Sequence, residues 1–307
     1  MVLSFLEFTL TVKDVRTAVD DIHLRSLDLK KAVISNMPDY VKRDPRLGPM
    51  LEGVRQSGRK LFLLTNSDWW YTNNIMTFLL GGQSVSVVNI TYIVNSSLNW
   101  ELRRSVRLVT VRYFLGEWRA CFDCVIVDAC KPKYFSGGTP LHIVSPQSGE
   151  VRLAPTLSNL PAGGDDVILS GGDAASLTRM LGLPGRNILY CGDHLYADVI
   201  KCRQLSPWRT LLVIPELARE LTAARLTSGL LEQLARLESL LASNPKLTEL
   251  KRRLHEAVAE FDRSFCQTGS LFRSGVRLSY FGAMVHAWAE LYTGSVNNIL
   301  GYSLDHR

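Results

Sequence analysis

Three short polar segments carry the residues whose types and spacing suit phosphate chemistry. In the first, Thr65, Asn66 and Ser67 follow the apolar run KLFLL. Their hydroxyl and amide groups can donate hydrogen bonds to phosphoryl oxygens, where negative charge develops during transfer. The same residue types cap helices, so an N-terminal capping role is an alternative interpretation. The segment is a candidate oxyanion-binding loop on residue type alone.

The second segment, VIVDACKP, places Lys131 directly before Pro132 after another apolar run. The proline restricts the backbone as it leaves the strand, and the ammonium can neutralise a phosphate. A solvated surface lysine is the alternative interpretation, since lysines near strand ends are commonly exposed. A cation at this position becomes informative only together with the other segments.

The third segment, CGDHLYAD, holds Asp193 after a glycine and Asp198 five residues later. Two carboxylates around a glycine turn suit Mg²⁺, which takes a few oxygen ligands and retains water. The alternative is that Asp193 caps the following helix while Asp198 is exposed. The segment is therefore a candidate metal site.

Apolar runs alternating with amphipathic segments predict the elements that position these residues, an α/β domain with a mainly parallel sheet. The predicted core strands are Lys60–Leu64, Val125–Asp128, Asn187–Cys191 and Thr210–Ile214. Each is followed by a polar cluster, and ligands of open α/β sheets bind at the carboxyl ends of strands. The clusters are therefore expected to converge at one sheet edge. Core-packing helices are predicted further on, from leucines on one helical face and from a charged segment: Leu230, Leu231, Leu234, Leu237, Leu241 and Lys246–Phe261.

Composition narrows the class of protein. The 307 residues carry a net charge of +6 and a pI near 9.0, which favours anionic ligands. Nucleic-acid binding is not expected, because no basic stripe is interleaved with stacking aromatics. No apolar run is long enough to span a membrane, and six cysteines without paired metal spacing indicate a reducing compartment. Cys121 and Cys124 form the one CxxC pattern, which we interpret as core rather than redox-active.

A strand ending in a hydroxyl, one ending in lysine and one ending in GDxxxxD, in this order, resemble the motifs of haloacid dehalogenase phosphatases. Longer stretches narrow the resemblance to cytosolic purine 5'-nucleotidases and 5'-nucleotidase domain-containing proteins: LTNSDWWYTNNIMTFLL, FDCVIVDACKPKYF, ILYCGDHLYADVIKCRQLSPWRTLLVIPELARELT and GSLFRSGVRLSYF. The resemblance runs from about Val12 to Leu300, except for Gln83–Tyr113, whose composition differs and which we interpret as an insertion.

The resemblance implies a haloacid dehalogenase-like Rossmannoid parallel sheet flanked by helices. Its expected domains are a cap remnant with lead-in helices (1–59), the core (60–220, with the insertion at 83–113) and a helical C-terminal region (221–307). The implied activity is Mg²⁺-dependent hydrolysis of purine nucleoside 5'-monophosphates of the IMP or GMP type, in the cytoplasm. The implied partners are further copies or other family members.

The resemblance also implies a role for each site residue. Thr65, Asn66 and Ser67 would hold the substrate phosphate. Lys131 would orient phosphate and nucleophile. Asp193 would ligate Mg²⁺, with Asp198 in support.

The sequence departs from the family pattern at the nucleophile. No DxDxT-type motif is present, and the match begins after the family's nucleophile strand, so the resemblance predicts an N-terminally truncated member. Asp20 and Asp21 are adjacent and cannot reproduce the two-residue spacing. Without the nucleophile, the alternative function is an inactive homologue that acts in binding or oligomerisation. A missing central strand would also expose two sheet edges, which Leu3–Val12 is hypothesised to fill.

Overall fold

The computed structural model describes residues 13–15, 17–22, 27–81, 118–154 and 167–302. It divides into two compact units, and each is described by itself. Among these residues, the first unit comprises those up to 128, together with 142–154 and 167–170. The second comprises 129–141 and 171–302. The proposed insertion at 83–113 and the segment Leu3–Val12 lie outside the described residues, and the three-part domain division stays a prediction.

The first unit contains most of a five-stranded sheet. Its strands are β1 (Phe62–Leu64), β2 (Cys124–Val127), β3 (Thr139–Val144), β4 (Val151–Leu153) and β5 (Ile168–Gly172), in the spatial order β1-β2-β5-β3-β4. β2 pairs in parallel with both β1 and β5, and the hairpin β3–β4 is antiparallel. Val125, Ile126 and Val127 are all buried, as expected for a parallel strand covered on both faces.

Helices α1 (Asp28–Ser35), α2 (Met37–Tyr40), α3 (Leu47–Gln56) and α4 (Trp69–Leu80) belong to the same unit. α4 packs on a core that consists of two tryptophans and branched residues of the sheet: Trp69, Trp118, Val125, Val127, Val144 and Ile168. α4 begins directly after the polar cluster TNSD, because Asp68 caps it by accepting a hydrogen bond from the Tyr71 backbone N–H.

The second unit has its own parallel sheet. Its strands are β6 (Leu189–Gly192), β7 (Arg209–Val213) and β10 (Leu291–Thr293), in the order β10-β7-β6. A π-helical turn, Leu195–Ile200, and helix α6 (Lys201–Leu205) connect β6 to β7. A two-stranded hairpin is formed by β8 (Arg273–Ser274) and β9 (Arg277–Leu278).

Five further helices belong to this unit. They are α5 (Ala174–Leu181), α7 (Leu217–Leu226), α8 (Ser228–Ser243), α9 (Thr248–Arg263) and α10 (Tyr280–Trp288). α8 and α9 pack through Leu234, Leu237, Ala257 and Phe261, all of them buried. The predicted leucine face is therefore a packing surface, as its helical spacing requires.

The mixed α/β class with parallel strands and flanking helices is confirmed, but a single sheet edge is not. Among the described residues, the strands preceding TNSD and DACKP lie in one sheet and those preceding GDH and PEL lie in another. Among the described strands, β1 and β6 each have one strand neighbour, and the hypothesis about a central strand stays a prediction. The described residues include no helix long and apolar enough to cross a membrane.

Candidate functional site

The loop after β1 is held by the neighbouring strand. The Thr65 backbone N–H donates to the Ile126 carbonyl at 3.0 Å, and the Ser67 carbonyl accepts from the Asp128 backbone N–H at 3.0 Å. The Thr65 hydroxyl accepts from the Ser67 backbone N–H at 3.1 Å, so the loop closes as a local turn. Asn66 at the middle of this turn is exposed. The cap of α4 is Asp68, so the capping interpretation of the three preceding residues is wrong.

A small polar cluster lies beside this loop in the first unit. Lys30 pairs with Asp68 at 2.5 Å, and the Ser170 hydroxyl donates to Asp128 at 3.3 Å. Burial raises the pKa of the Asp128 carboxyl, and the negative charge of Asp68 adds to this effect, against the hydrogen bond from Ser170 and the charge of Lys30. Asp128 also has a positive φ of 48°, an uncommon conformation outside glycine. The carboxyl group at the end of β2 is therefore partly desolvated, which disfavours its charged form.

Lys131 in the second unit is not a solvated surface lysine. Its side chain is 13% exposed, and its ammonium lies 3.0 Å from Asp198 Oδ1. The same ammonium donates to the Tyr190 hydroxyl at 2.7 Å, and that hydroxyl donates to Asp198 Oδ1 at 2.9 Å. We call Lys131, Tyr190 and Asp198 the lysine triad. It brings together two of the residues singled out from the sequence and one that was not.

Asp198 is buried, which corrects the alternative interpretation that it is exposed. Its second oxygen accepts from the His194 backbone N–H at 3.1 Å, so both carboxylate oxygens are bound within the protein. Gly192 permits this approach, because a Cβ at that position would lie 2.5 Å from the Asp198 Cβ. His194, not Asp193, caps the following turn, through a hydrogen bond from the Ala197 backbone N–H to its Nδ1.

The donor set present in this unit does not fit a Mg²⁺ ion by itself. Asp193 is exposed, whereas both oxygens of Asp198 are committed to the triad and to the backbone. No cluster of three or more His, Cys, Asp or Glu side chains suited to a metal occurs in the part of the chain that the structure describes. A single exposed carboxylate is a weak ligand set for an ion that prefers octahedral oxygen coordination. Metal ligation by Asp193 and Asp198 stays a prediction.

Sequence reasoning missed Tyr190. It lies on β6, is 4% exposed and packs its ring against Phe135 and Trp208 at centroid distances of 5.7 and 6.1 Å. Burial, and then the charge of Asp198, raise the pKa of the Tyr190 phenol, so it stays protonated in the physiological range. In the sequence, Tyr190 looks like a packing residue of an apolar strand. Only its hydrogen bonds to Lys131 and Asp198 show that the hydroxyl has polar partners.

The fold and the triad define an α/β protein with a preorganised lysine after one strand and a supporting acid after another. Comparisons with known proteins specify the class. The sequence profile of the 5' nucleotidase family matches residues 4–307. A 5'-nucleotidase domain-containing protein of Dictyostelium discoideum is 28% identical over 310 residues, which cover 95% of this chain and 46% of the relative.

The chain belongs to the 5'-nucleotidase family. It spans about half the length of the curated relative that it matches.

Proposed function

We propose that this chain binds purine nucleoside 5'-monophosphates, of the IMP or GMP type, through their phosphate, and that Lys131 supplies the cation. The carrying observation is that the Lys131 ammonium is held by two contacts of 3.0 Å or less. A side chain that is already fixed loses little conformational entropy when an anion binds. An ammonium–phosphate hydrogen bond is also stronger than one between neutral groups. The net charge of +6 favours the approach of such an anion.

Thr65, Asn66 and Ser67 are proposed to contribute hydrogen-bond donors to the same class of ligand. The support is their position in a closed turn directly after β1, and the role that the family resemblance gives them. Because Asp68 performs the capping of α4, this turn is not required as the cap of that helix.

The proposed activity of the 307-residue sequence is binding without hydrolysis. A covalent phosphoryl transfer needs a nucleophile, and no DxDxT motif occurs in the sequence. The proposed role is therefore that of a nucleotide-binding homologue that assembles with further copies or with other family members in the cytoplasm. Nucleic acid and membranes are not among its proposed partners.

Membership of the family favours a second candidate, Mg²⁺-dependent hydrolysis of the same nucleotides. In that case Asp193 would contribute one ligand, and the remaining metal ligands and the nucleophile would come from groups other than the lysine triad.

A thermal-shift experiment with a phosphate assay in the same tube tests both candidates. We expect IMP to raise the melting temperature, in Mg²⁺ and in EDTA alike, whereas inosine does not, because ligand binding to the folded state stabilises it. Lys131→Met is expected to abolish the shift. Lys133→Met, which removes an exposed lysine two residues away, is expected to retain it.

No IMP-dependent shift in the wild type would overturn the binding proposal. Release of phosphate that requires Mg²⁺ would replace it with the hydrolytic candidate. A shift with IMP that survives in Lys131→Met would show that the phosphate is bound elsewhere.

A further inference from the structure

Tyr190 is the member of the lysine triad that neither the motifs nor the family resemblance assigns. Its ring and its hydroxyl have separate surroundings. The ring packs among Phe135 and Trp208, and a phenylalanine would satisfy these contacts equally well. The hydroxyl accepts from the Lys131 ammonium at 2.7 Å and donates to Asp198 at 2.9 Å. The hydroxyl is therefore the part of this residue that requires an explanation.

The direction of these hydrogen bonds is fixed by charge. An ammonium has only donors and an ionised carboxylate only acceptors, so the phenol oxygen accepts from Lys131 and its proton goes to Asp198. The protonated phenol thereby joins the cation to the anion at a second point, next to their direct contact of 3.0 Å. Two contacts at an angle restrict the ammonium in position, whereas one ion pair alone allows a flexible four-carbon side chain to rotate.

We propose that Tyr190 is a positioning residue, whose hydroxyl holds the Lys131 ammonium in the place where it meets a nucleotide phosphate. The nucleotide ligand in this inference rests on the proposed function, whereas the arrangement of the triad is observed in the structure. Tyr190 acts through Lys131 and does not itself touch the phosphate. The backbone supports the arrangement, because Tyr190 and Gly192 are on one strand and Gly192 leaves the space that Asp198 occupies.

Tyr190→Phe removes the hydroxyl and keeps the ring. The first measurement is the rate at which an acetylating reagent modifies Lys131 in the intact chain, followed by mass spectrometry of the Lys131 peptide. We expect Tyr190→Phe to increase this rate severalfold. The matched control is Tyr196→Phe, which removes an exposed hydroxyl on the same turn as Asp198, where the ring lies under Lys201. It is expected to leave the rate unchanged.

The second measurement is affinity for IMP and for inosine by calorimetry. We expect Tyr190→Phe to weaken IMP binding by about tenfold, the size of effect of a lost hydrogen bond to a charged group. Inosine, which has no phosphate, is not expected to bind either variant. Tyr196→Phe is expected to bind IMP as the wild type does. A purely structural role of Tyr190 would lower the melting temperature of the free protein without raising the acetylation rate of Lys131 in the folded chain.

The two measurements separate this inference from the proposed function. If the wild type binds no IMP but Tyr190→Phe still exposes Lys131 to acetylation, the positioning role is supported and the proposed ligand is wrong. An unchanged acetylation rate in Tyr190→Phe overturns the positioning role, whatever the ligand. If Tyr190→Phe fails to fold, Tyr190→Met provides a second test, since it also removes the hydroxyl and fills the apolar space with a flexible side chain; an unchanged Lys131 rate there overturns the proposal too.

Discussion

At the scale of single residues, the lysine triad converts an ordinary sequence motif into a defined charge arrangement. Lys131 and Asp198 are 67 positions apart in sequence but 3.0 Å apart in space, and both are largely buried. Burying each charge costs free energy that only the partner and its hydrogen bonds repay. The pair is therefore sensitive to removal of either member, and this sensitivity distinguishes it from the surface ion pairs of the same protein.

Lys131→Met is expected to reduce the free energy of unfolding by about 3–5 kcal/mol, because it leaves the Asp198 carboxylate buried without its cation. The control is Arg152→Ala, which breaks the pair between Arg152 and Glu150, whose side chains are 80% and 63% exposed. An exposed pair contributes only about 0–1 kcal/mol. Urea unfolding of both variants measures the difference. Equal, small losses would show that Asp198 is solvated and not buried as described.

Asp128 gives stability a pH dependence of the less usual sign for a carboxyl group. Burial raises its pKa, so the folded state binds the proton more tightly than the unfolded state. Its contribution to stability is therefore complete below the unfolded pKa of about 3.9 and is lost as the pH rises through the folded pKa. We therefore expect the difference in free energy of unfolding between Asp128→Asn and the wild type to shift in favour of the variant as the pH rises from 4 to 7.5. Urea unfolding at each pH measures this difference.

The backbone does not confound this comparison, since asparagine tolerates the positive φ at this position. Ser170→Ala provides a second variant, because it removes the hydrogen bond that lowers the Asp128 pKa. It is expected to enlarge the loss of stability that accompanies rising pH. Parallel curves for the wild type and Asp128→Asn would mean that the carboxyl titrates alike in both states.

At the scale of elements, the strands and helices with strong patterns could be predicted and the short connecting elements could not. Runs such as VIVD and TLLVI identified β2 and β7, whose bounds in the structure differ from the prediction by one residue. β5 and β10 were missed. β5 contains the sequence ILSGG, whose glycines argue against a strand, and β10 is only three residues long. Their pairing with β2 and β7 supplies the stability that their own sequences lack.

The site residues show the same limit. The types and order of the polar clusters singled out Thr65 to Ser67, Lys131 and Asp198 as candidates, but they did not predict the ion pair between Lys131 and Asp198. The π-helical turn at Leu195–Ile200 turns Asp198 inward, and nothing in the sequence distinguishes this turn from an ordinary helix start that leaves the acid exposed. Tyr190 could not be recognised because a tyrosine in an apolar strand is commonly a packing residue.

Asp68, at the end of the loop after β1, makes two contacts that stabilise the start of helix α4. This side chain accepts the Tyr71 backbone N–H at 2.8 Å and also pairs with Lys30. Asp68→Ala is expected to cost about 1 kcal/mol or more of the free energy of unfolding from the lost cap alone. Asp68→Asn retains a capping oxygen and loses only the charge, so it is expected to cost less. Thermal unfolding of both variants measures the contribution of the cap; an equal loss in both would assign it to the ion pair with Lys30.

At the scale of the whole molecule, each of the two units has one strand that is paired in parallel on both sides. β2 lies between β1 and β5, and β7 lies between β6 and β10, whereas the described residues provide β1 and β6 with one neighbour each. A strand that is paired on both sides has its backbone donors and acceptors satisfied within the sheet, so β2 and β7 are expected to be the most protected strands of their units.

Hydrogen exchange measured by NMR tests this arrangement strand by strand. We expect all backbone amides of β7, Arg209–Val213, to exchange slowly, because the strand is paired on both sides. In the other unit, the amides of β2, Cys124–Val127, are expected to exchange slowly for the same reason, because β2 is paired with both β1 and β5. Fast exchange along β7 or β2 would contradict their position between two paired strands.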